Sequence, residues 1–338
     1  MKRVKRLFAC LLALTMMLGL SATAFATETA EKVQTPANGG TVTFEKEYKL
    51  VGEGISPAET FEFNIAKAGV ENGGVDAEKQ DMPTVGTAAY AQNGATTAGN
   101  KKEVTVALPT YTSVGVYSYI ITEKTGTTAG VAYDSKSVTM KVTAVDNNGT
   151  IEIAAVSFTK AGKKLADNEA AFNNTYTANK LSISKTVAGN LGDKSKYFDF
   201  TVTLTGKEGE EYSLPATITG GSDKSGKKDN VAISGTTTFK LKHGDTITIE
   251  NLPAGVSYKV EEATPSDYTM NATGQEGTMD AEAKTAAFTN TKTGDIDTGV
   301  YLDNLPYILV FAGVLAIAAV FILSLIHISE PTRPLYIS

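Results

Sequence analysis

Three landmarks occur in the same order twice along this 338-residue chain. A strand-like run carrying a lysine among apolar residues opens each copy: Val42, Phe44, Lys46, Tyr48 in the first and Leu181, Ile183, Lys185, Val187 in the second. A Tyr-x-x-x-Glu run follows, Tyr119-Ile-Ile-Thr-Glu123 and Tyr258-Lys-Val-Glu-Glu262, each preceded by a Gly-Val pair at Gly115 and Gly255. Ala171-Phe172-Asn173-Asn174 and Ala287-Phe288-Thr289-Asn290 close the copies, and lysine and glutamate stand 77 residues apart in both. Equal spacing of ordered landmarks implies one fold used twice. The junction then falls near Thr177 to Lys180.

What kind of fold repeats is set by the runs between the landmarks. Segments such as 42–48, 61–65, 138–142, 198–204 and 246–249 alternate apolar and polar residues, are rich in Thr, Val, Ile, Tyr and Phe, and are separated by Gly, Asn, Asp and Pro. Period-two alternation of this kind marks strands with one buried face. The expected class is all-β, with tandem sandwich domains over 27–178 and 179–293. Residues 69–99, dominated by Ala, Gly, Asn and Thr, read as a long loop.

The two ends carry topology signals. Lys2, Arg3, Lys5 and Arg6 precede an apolar run from Leu7 to Leu20, and the small residues Ala24 and Ala26 suit a signal peptidase, so 1–26 reads as an export leader. The only cysteine, Cys10, leaves with it, and the exported protein must be robust without disulfides. Near the other end, Ile308 to Ile326 contains no charge and is long enough to span a bilayer, giving a transmembrane segment over 305–322. Residues 323–338 resemble translated sequencing-adapter DNA and are expected to be a non-native tail. Between leader and anchor the chain carries about nine net negative charges, which argues against nucleic acid as a partner.

Strand alternation gives the landmarks a chemistry. Lys46 shares a face with Val42 and Phe44, Glu123 with Tyr119 and Ile121, and Asn174 with Phe172; the second copy aligns Lys185, Glu262 and Asn290 in the same way. A lone inward lysine is ordinarily a strand-end residue that snorkels to water. A Lys, a Glu and an Asn buried at matching places in two domains must satisfy one another. Desolvation lowers the lysine pKa and raises that of the acid, so a neutral amine can face a protonated carboxyl. Such an amine can attack the Asn carboxamide while the glutamic acid polarises the carbonyl and relays protons, releasing ammonia and leaving a Lys-Asn isopeptide bond.

In these landmarks the chain resembles the Gram-positive sortase-assembled pilin subunits built of streptococcal-pilin-type isopeptide-linkage domains. Leu181-Ser-Ile-Ser-Lys-Thr-Val-Ala-Gly-Asn followed by Lys196-Tyr-Phe-Asp-Phe is the stretch where the likeness is strongest. The resemblance implies Ig-like sandwiches whose bonds, Lys46 to Asn174 and Lys185 to Asn290, join first and last strands with Glu123 and Glu262 assisting. It also implies a sortase as partner. The segment 294–304 is the sorting linker: in Asp295-Ile-Asp-Thr-Gly299, Thr298 and Gly299 match the Leu-Pro-x-Thr-Gly pattern and the proline does not. Cleavage between Thr298 and Gly299 would pass the Thr carboxyl to another pilin subunit or to a cell-wall peptide. The acceptor lysine falls, by resemblance, among Lys160, Lys163 and Lys164, a choice the sequence leaves open.

The expected function is therefore a structural subunit of a cell-surface pilus, wall-anchored in the end, with a monomeric wall-anchored adhesin on the same stalk as the alternative and a host surface ligand left open. No conventional enzyme site, cofactor or metal site is expected: His243 is the lone histidine of the exported region, and no acidic cluster has metal-ligand spacing. Gly221 to Lys228 imitates a phosphate-binding loop but lacks its closing Ser or Thr and does not lead into a helix.

Overall fold

The structure, a computed structural model, describes residues 32–74, 76–223, 228–295 and 305–328. The leader at 1–26, the Thr298–Gly299 pair and much of the Gly221–Lys228 loop lie outside the described residues. The chain forms Ig-like sandwiches from strands whose side chains alternate between core and solvent. In the strand Thr41–Gly52, Val42, Phe44, Lys46 and Tyr48 point inward, so its lysine occupies a core position among apolar neighbours.

One sheet of the first sandwich runs in the order Val33–Gln34, Thr150–Lys160, Val138–Asn147, Gly115–Glu123 and Phe63–Glu71. The facing sheet contains Thr41–Gly52, Asn100–Ala107, Thr84–Val85 and the first half of a 17-residue strand, Phe172–Ala188. The second half of that strand enters the second sandwich between Thr246–Pro253 and Lys284–Thr291, facing the sheet of Gly235–Leu241, Phe198–Thr205, Ser257–Ala263 and Glu276–Thr278. One core gathers Val42 to Ala178 and a separate one Leu181 to Phe288.

The shared strand serves both cores because its inward parity changes. Phe172, Asn174, Tyr176 and Ala178 are buried, then Asn179, Leu181, Ile183, Lys185 and Val187. The change falls where its pairing with Thr246–Pro253 shifts register between Asn179 and Leu181. A one-residue slip turns every later side chain to the opposite face. Around this point the Glu53 N–H donates to the Ala178 carbonyl at 2.8 Å, the Ile55 N–H to Asn251 Oδ1 at 3.0 Å, and the Glu211 N–H to the Thr127 carbonyl at 2.7 Å.

The segment 69–99 is more ordered than its composition implies. Phe63–Glu71 extends into it, and it contains a helical turn at Ala77–Lys79 and the strands Thr84–Val85 and Ala88–Tyr90. Tyr90 and Ala88 are buried, and these two apolar anchors hold a chain whose composition alone suggests a loop. At the C-terminus a helix covers Leu305–Ile328, running past the expected end at Ile322. Pro306–Ser324 is long and apolar enough to cross a membrane.

Candidate isopeptide sites

Each site is assembled by two parallel strands and one strand from the facing sheet. Thr41–Gly52 and Phe172–Ala188 run parallel with Lys46 opposite Phe172; farther along, Phe172–Ala188 and Lys284–Thr291 run parallel with Lys185 opposite Phe288. In both pairings the Asn lies two residues beyond the lysine's partner. Period-two geometry therefore puts Lys and Asn on the same inward face at the same offset in each sandwich. Glu123 and Glu262 reach them from Gly115–Glu123 and Ser257–Ala263 in the facing sheets.

The side chains meet as the alternation requires. Lys46 Nζ stands 2.9 Å from Glu123 Oε2, and Lys185 Nζ stands 2.8 Å from Glu262 Oε2, with both side chains of each pair fully out of water. The Lys185 contact is a directed hydrogen bond, whereas the Lys46 contact is an ion pair without hydrogen-bond alignment. The other oxygen of each carboxylate accepts from an amide: Asn174 Nδ2 donates to Glu123 Oε1, and Asn290 Nδ2 to Glu262 Oε1. Each glutamate thus addresses the amine with one oxygen and the amide nitrogen with the other. Of the roles expected for the glutamate, this arrangement bears on proton relay to the amide nitrogen, and the contact it makes is to Nδ2 and not to the carbonyl oxygen.

Burial sets the protonation. Desolvation pulls Lys46 down to about 8, against the attraction of Glu123 that works to raise it. Lys185 is also lowered, again by desolvation first. Glu123 is raised above the usual carboxylate range by desolvation, which outweighs the pull of Lys46. The shifts of Lys46 and Glu123 move the pair toward neutral amine and neutral acid, the combination in which the amine has a free lone pair.

Two further residues in each site carry a signal that was present in the sequence. Lys46 Nζ lies 4.4 Å from the centre of the Phe61 ring, and Lys185 Nζ 4.3 Å from that of Phe198. Phe63 and Phe200, two residues on, pack against Phe172 and Phe288 with ring centroids 5.0 and 5.1 Å apart. Both pairs belong to a repeated Phe-acid-Phe motif, Phe61-Glu62-Phe63 and Phe198-Asp199-Phe200, a fourth landmark of the repeat. An aromatic face keeps water from the amine without supplying a competing acceptor.

The three candidate acceptor lysines differ. Lys160 is mostly buried, pairs with Asp134 Oδ2 at 2.7 Å and donates to the Ala171 carbonyl at 2.7 Å. Lys163 and Lys164 form the exposed short strand that pairs with Thr159 and Lys160 across the turn at Ala161-Gly162. His243 accepts a hydrogen bond from the Val187 N–H through Nδ1 at 3.0 Å, which fixes it beside the shared strand.

Comparison with known proteins places this geometry. Residues 42–177 match the family model of the Spy0128-like isopeptide containing domain, and 179–292 match a domain of unknown function, DUF7601. A pilin of Streptococcus pyogenes serotype M1 is 30% identical over 322 residues, which covers 87% of this chain and 93% of that protein. The pilus tip adhesin Cpa of Streptococcus pyogenes is 33% identical over 131 residues, 37% of this chain but only 18% of the adhesin. Among solved structures, the major pilin from Streptococcus pyogenes superposes with a TM-score of 0.52 at 26% identity, over 76% of this chain and all of that one.

Proposed function

Because this chain belongs to the streptococcal pilin family, we propose that it is a structural subunit of a cell-surface pilus, locked internally by two Lys-Asn isopeptide bonds and joined to its neighbours by a sortase. The observation that carries the reading is the doubled, water-free Lys-Glu-Asn cluster at one offset on paired parallel strands. A buried ion pair is weak as a stabilising device, since desolvation consumes most of its attraction. Its conversion to a neutral amide removes that cost and closes a large loop covalently.

In the proposed reaction the neutral amine of Lys46 or Lys185 adds to Cγ of Asn174 or Asn290. The carboxyl group of Glu123 or Glu262 takes one proton from Nζ and passes one to the departing Nδ2, one oxygen serving each nitrogen. One C–N bond forms, one breaks, and ammonia leaves. Nothing beyond the chain itself is consumed, and the domains act separately, 27–178 and 179–293, with the division at the parity change of the shared strand.

Assembly uses the ends. Export by the 1–26 leader, temporary retention by the 305–322 span and cleavage between Thr298 and Gly299 give a Thr carboxyl that a sortase passes to a lysine of the next subunit or to the wall. The acceptor role falls to the exposed strand Lys163–Lys164 rather than to the mostly buried Lys160. The adhesin alternative is the weaker reading because the likeness to the tip adhesin covers little of that protein. The test is to express the chain on Gram-positive cells with a pilus-type sortase and boil the wall extract in detergent. A ladder of multimers that disappears with Thr298→Ala is expected; a single wall-linked band would favour the monomeric adhesin.

A further inference from the structure

The two sites differ in what faces the carbonyl oxygen of the asparagine. Asn174 Oδ1 accepts a hydrogen bond from the backbone N–H of Asp134 at 2.9 Å. Asn290 Oδ1 is equally buried and has no hydrogen-bond partner among the described residues. The carbonyl oxygen is where negative charge gathers when an amine adds to an amide. A fixed N–H aimed at that atom is worth more in a dry site than in water.

The local fold explains why Asp134 has an N–H to offer. Val131–Ala132 pairs antiparallel with Thr175 and Tyr176 at the edge of the shared strand, and the chain then leaves the sheet. Two residues later, Asp134 no longer belongs to the ladder, and its N–H turns to the side chain of Asn174 instead of a backbone carbonyl. In the second sandwich the corresponding edge, Thr269–Thr273, stays paired with Lys284–Thr291 through Met270 opposite Asn290. The chain there does not peel away at the reacting amide.

The departing turn is pinned by its own aspartate. Asp134 Oδ2 accepts from Lys160 Nζ at 2.7 Å and from the Asn173 N–H at 3.0 Å, and Oδ1 accepts from the Lys136 N–H at 3.0 Å. Lys160 is fixed in turn by the Ala171 carbonyl. Burial works to raise the Asp134 carboxyl, but these donors outweigh it and hold it below the usual range, so it stays an anion. The anchor therefore ties the turn to Asn173, the residue adjoining the reacting Asn174.

We propose that the Asp134 backbone N–H is an oxyanion donor for bond formation in the first domain, with the Asp134 carboxylate and Lys160 as positioning groups, and that the second domain closes its bond without such a donor. This rests on the reading above that Lys46 joins Asn174. As Nζ adds to Cγ, the carbonyl electron pair moves to Oδ1, which the Asp134 N–H holds. When that pair returns, the Cγ–Nδ2 bond breaks and Nδ2 departs as ammonia with the proton supplied by Glu123. The donor gives up no proton and is unchanged at the end.

The test replaces only the N–H. Full-length chain is made by cell-free translation in the presence of lipid nanodiscs, with malic acid, the α-hydroxy counterpart of aspartate, inserted at position 134 so that an ester oxygen replaces the amide N–H and the side chain is kept. Samples are quenched over time and digested, and the Lys46–Asn174 and Lys185–Asn290 linked peptides are quantified from the same molecules. In the natural chain the first link is expected to form ahead of the second. The ester should slow the first link on the order of 100-fold and leave the second at its natural rate. Lys160→Met, which keeps the N–H but loosens its anchor, should slow the first link less than the ester does and again spare the second.

First-domain linkage at the natural rate in the ester chain overturns the proposal, as does a natural chain in which the second link forms first. Should the ester chain fail to fold, as judged by trypsin sensitivity of its first domain, Lys160→Met and the order of linkage in the natural chain decide. A natural chain that forms neither link overturns the isopeptide reading itself, a result distinct from loss of the donor's effect alone.

Discussion

At the scale of single residues, Lys46 and Lys185 sit where a charged amine is costly, each within hydrogen-bond distance of a carboxylate and over a phenylalanine face. Removing one partner of such a pair strands the other, at a cost of about 3–5 kcal/mol. Glu123→Ala and Glu262→Ala should therefore each abolish the bond in their own domain and leave the other intact, so that each variant retains one ammonia loss by intact mass. Loss of both bonds from either change would mean that the domains act as one unit. A second prediction uses Asn174→Ala, which leaves Lys46 with a free amine. Burial holds that amine at about 8 against its ordinary 10.5, so between those values the unfolded chain binds more protons and stability should rise with pH. Below pH 8 the folded amine is charged as well, and the full desolvation penalty is present. Relative to the natural chain, in which this nitrogen is an amide that does not titrate, the denaturation midpoint of Asn174→Ala should climb between pH 8 and 10.5; a difference that stays flat or falls would contradict the assigned protonation. Lys, Glu and Asn were legible in the sequence because each is a polar residue breaking an apolar alternation at a repeated place. Asp134 was not, because it acts through its backbone, and a backbone N–H leaves no mark in residue identity.

At the scale of elements, the strand Phe172–Ala188 explains how two domains meet without a linker. It closes one sandwich with even-numbered residues and opens the next with odd-numbered ones, changing face at Ala178 and Asn179. Alternation on either side was readable from the sequence, but its continuity was not: the change of parity looks like two strands with a break when only hydrophobic period is considered. Gly52, at the end of Thr41–Gly52 and opposite Ala178, marks how tightly this joint is built. Its φ is +82°, and a Cβ placed there would stand 2.4 Å from the Ala178 carbonyl oxygen. Gly52→Ala should cost about 1–3 kcal/mol through the left-handed backbone alone, and more through the clash. The check is a lower thermal midpoint with both ammonia losses retained, since neither reacting cluster is touched; an unchanged midpoint would mean that the joint yields easily.

At the scale of the whole molecule, the two proposed bonds and the shared strand form one covalent route. Lys46 leads to Asn174, the strand carries tension from Asn174 to Lys185, and Lys185 leads to Asn290, so the loops 47–173 and 186–289 are bypassed. Each closure, treated like a disulfide of similar loop length, stabilises its domain by about 5 kcal/mol. This is a means of robustness that does not need the cysteine pairs used by many exported proteins. Repeat, fold class and the location of both clusters followed from order and spacing in the sequence, whereas the ordered path of 69–99 did not, because a few buried anchors such as Tyr90 outweigh a loop-like composition. The central claim is that both clusters react, and intact-mass spectrometry of the purified protein tests it most directly. The account predicts a mass lower than that calculated from the sequence by two molecules of ammonia, reduced to one by either Asn174→Ala or Asn290→Ala; a mass equal to the calculated value would contradict it.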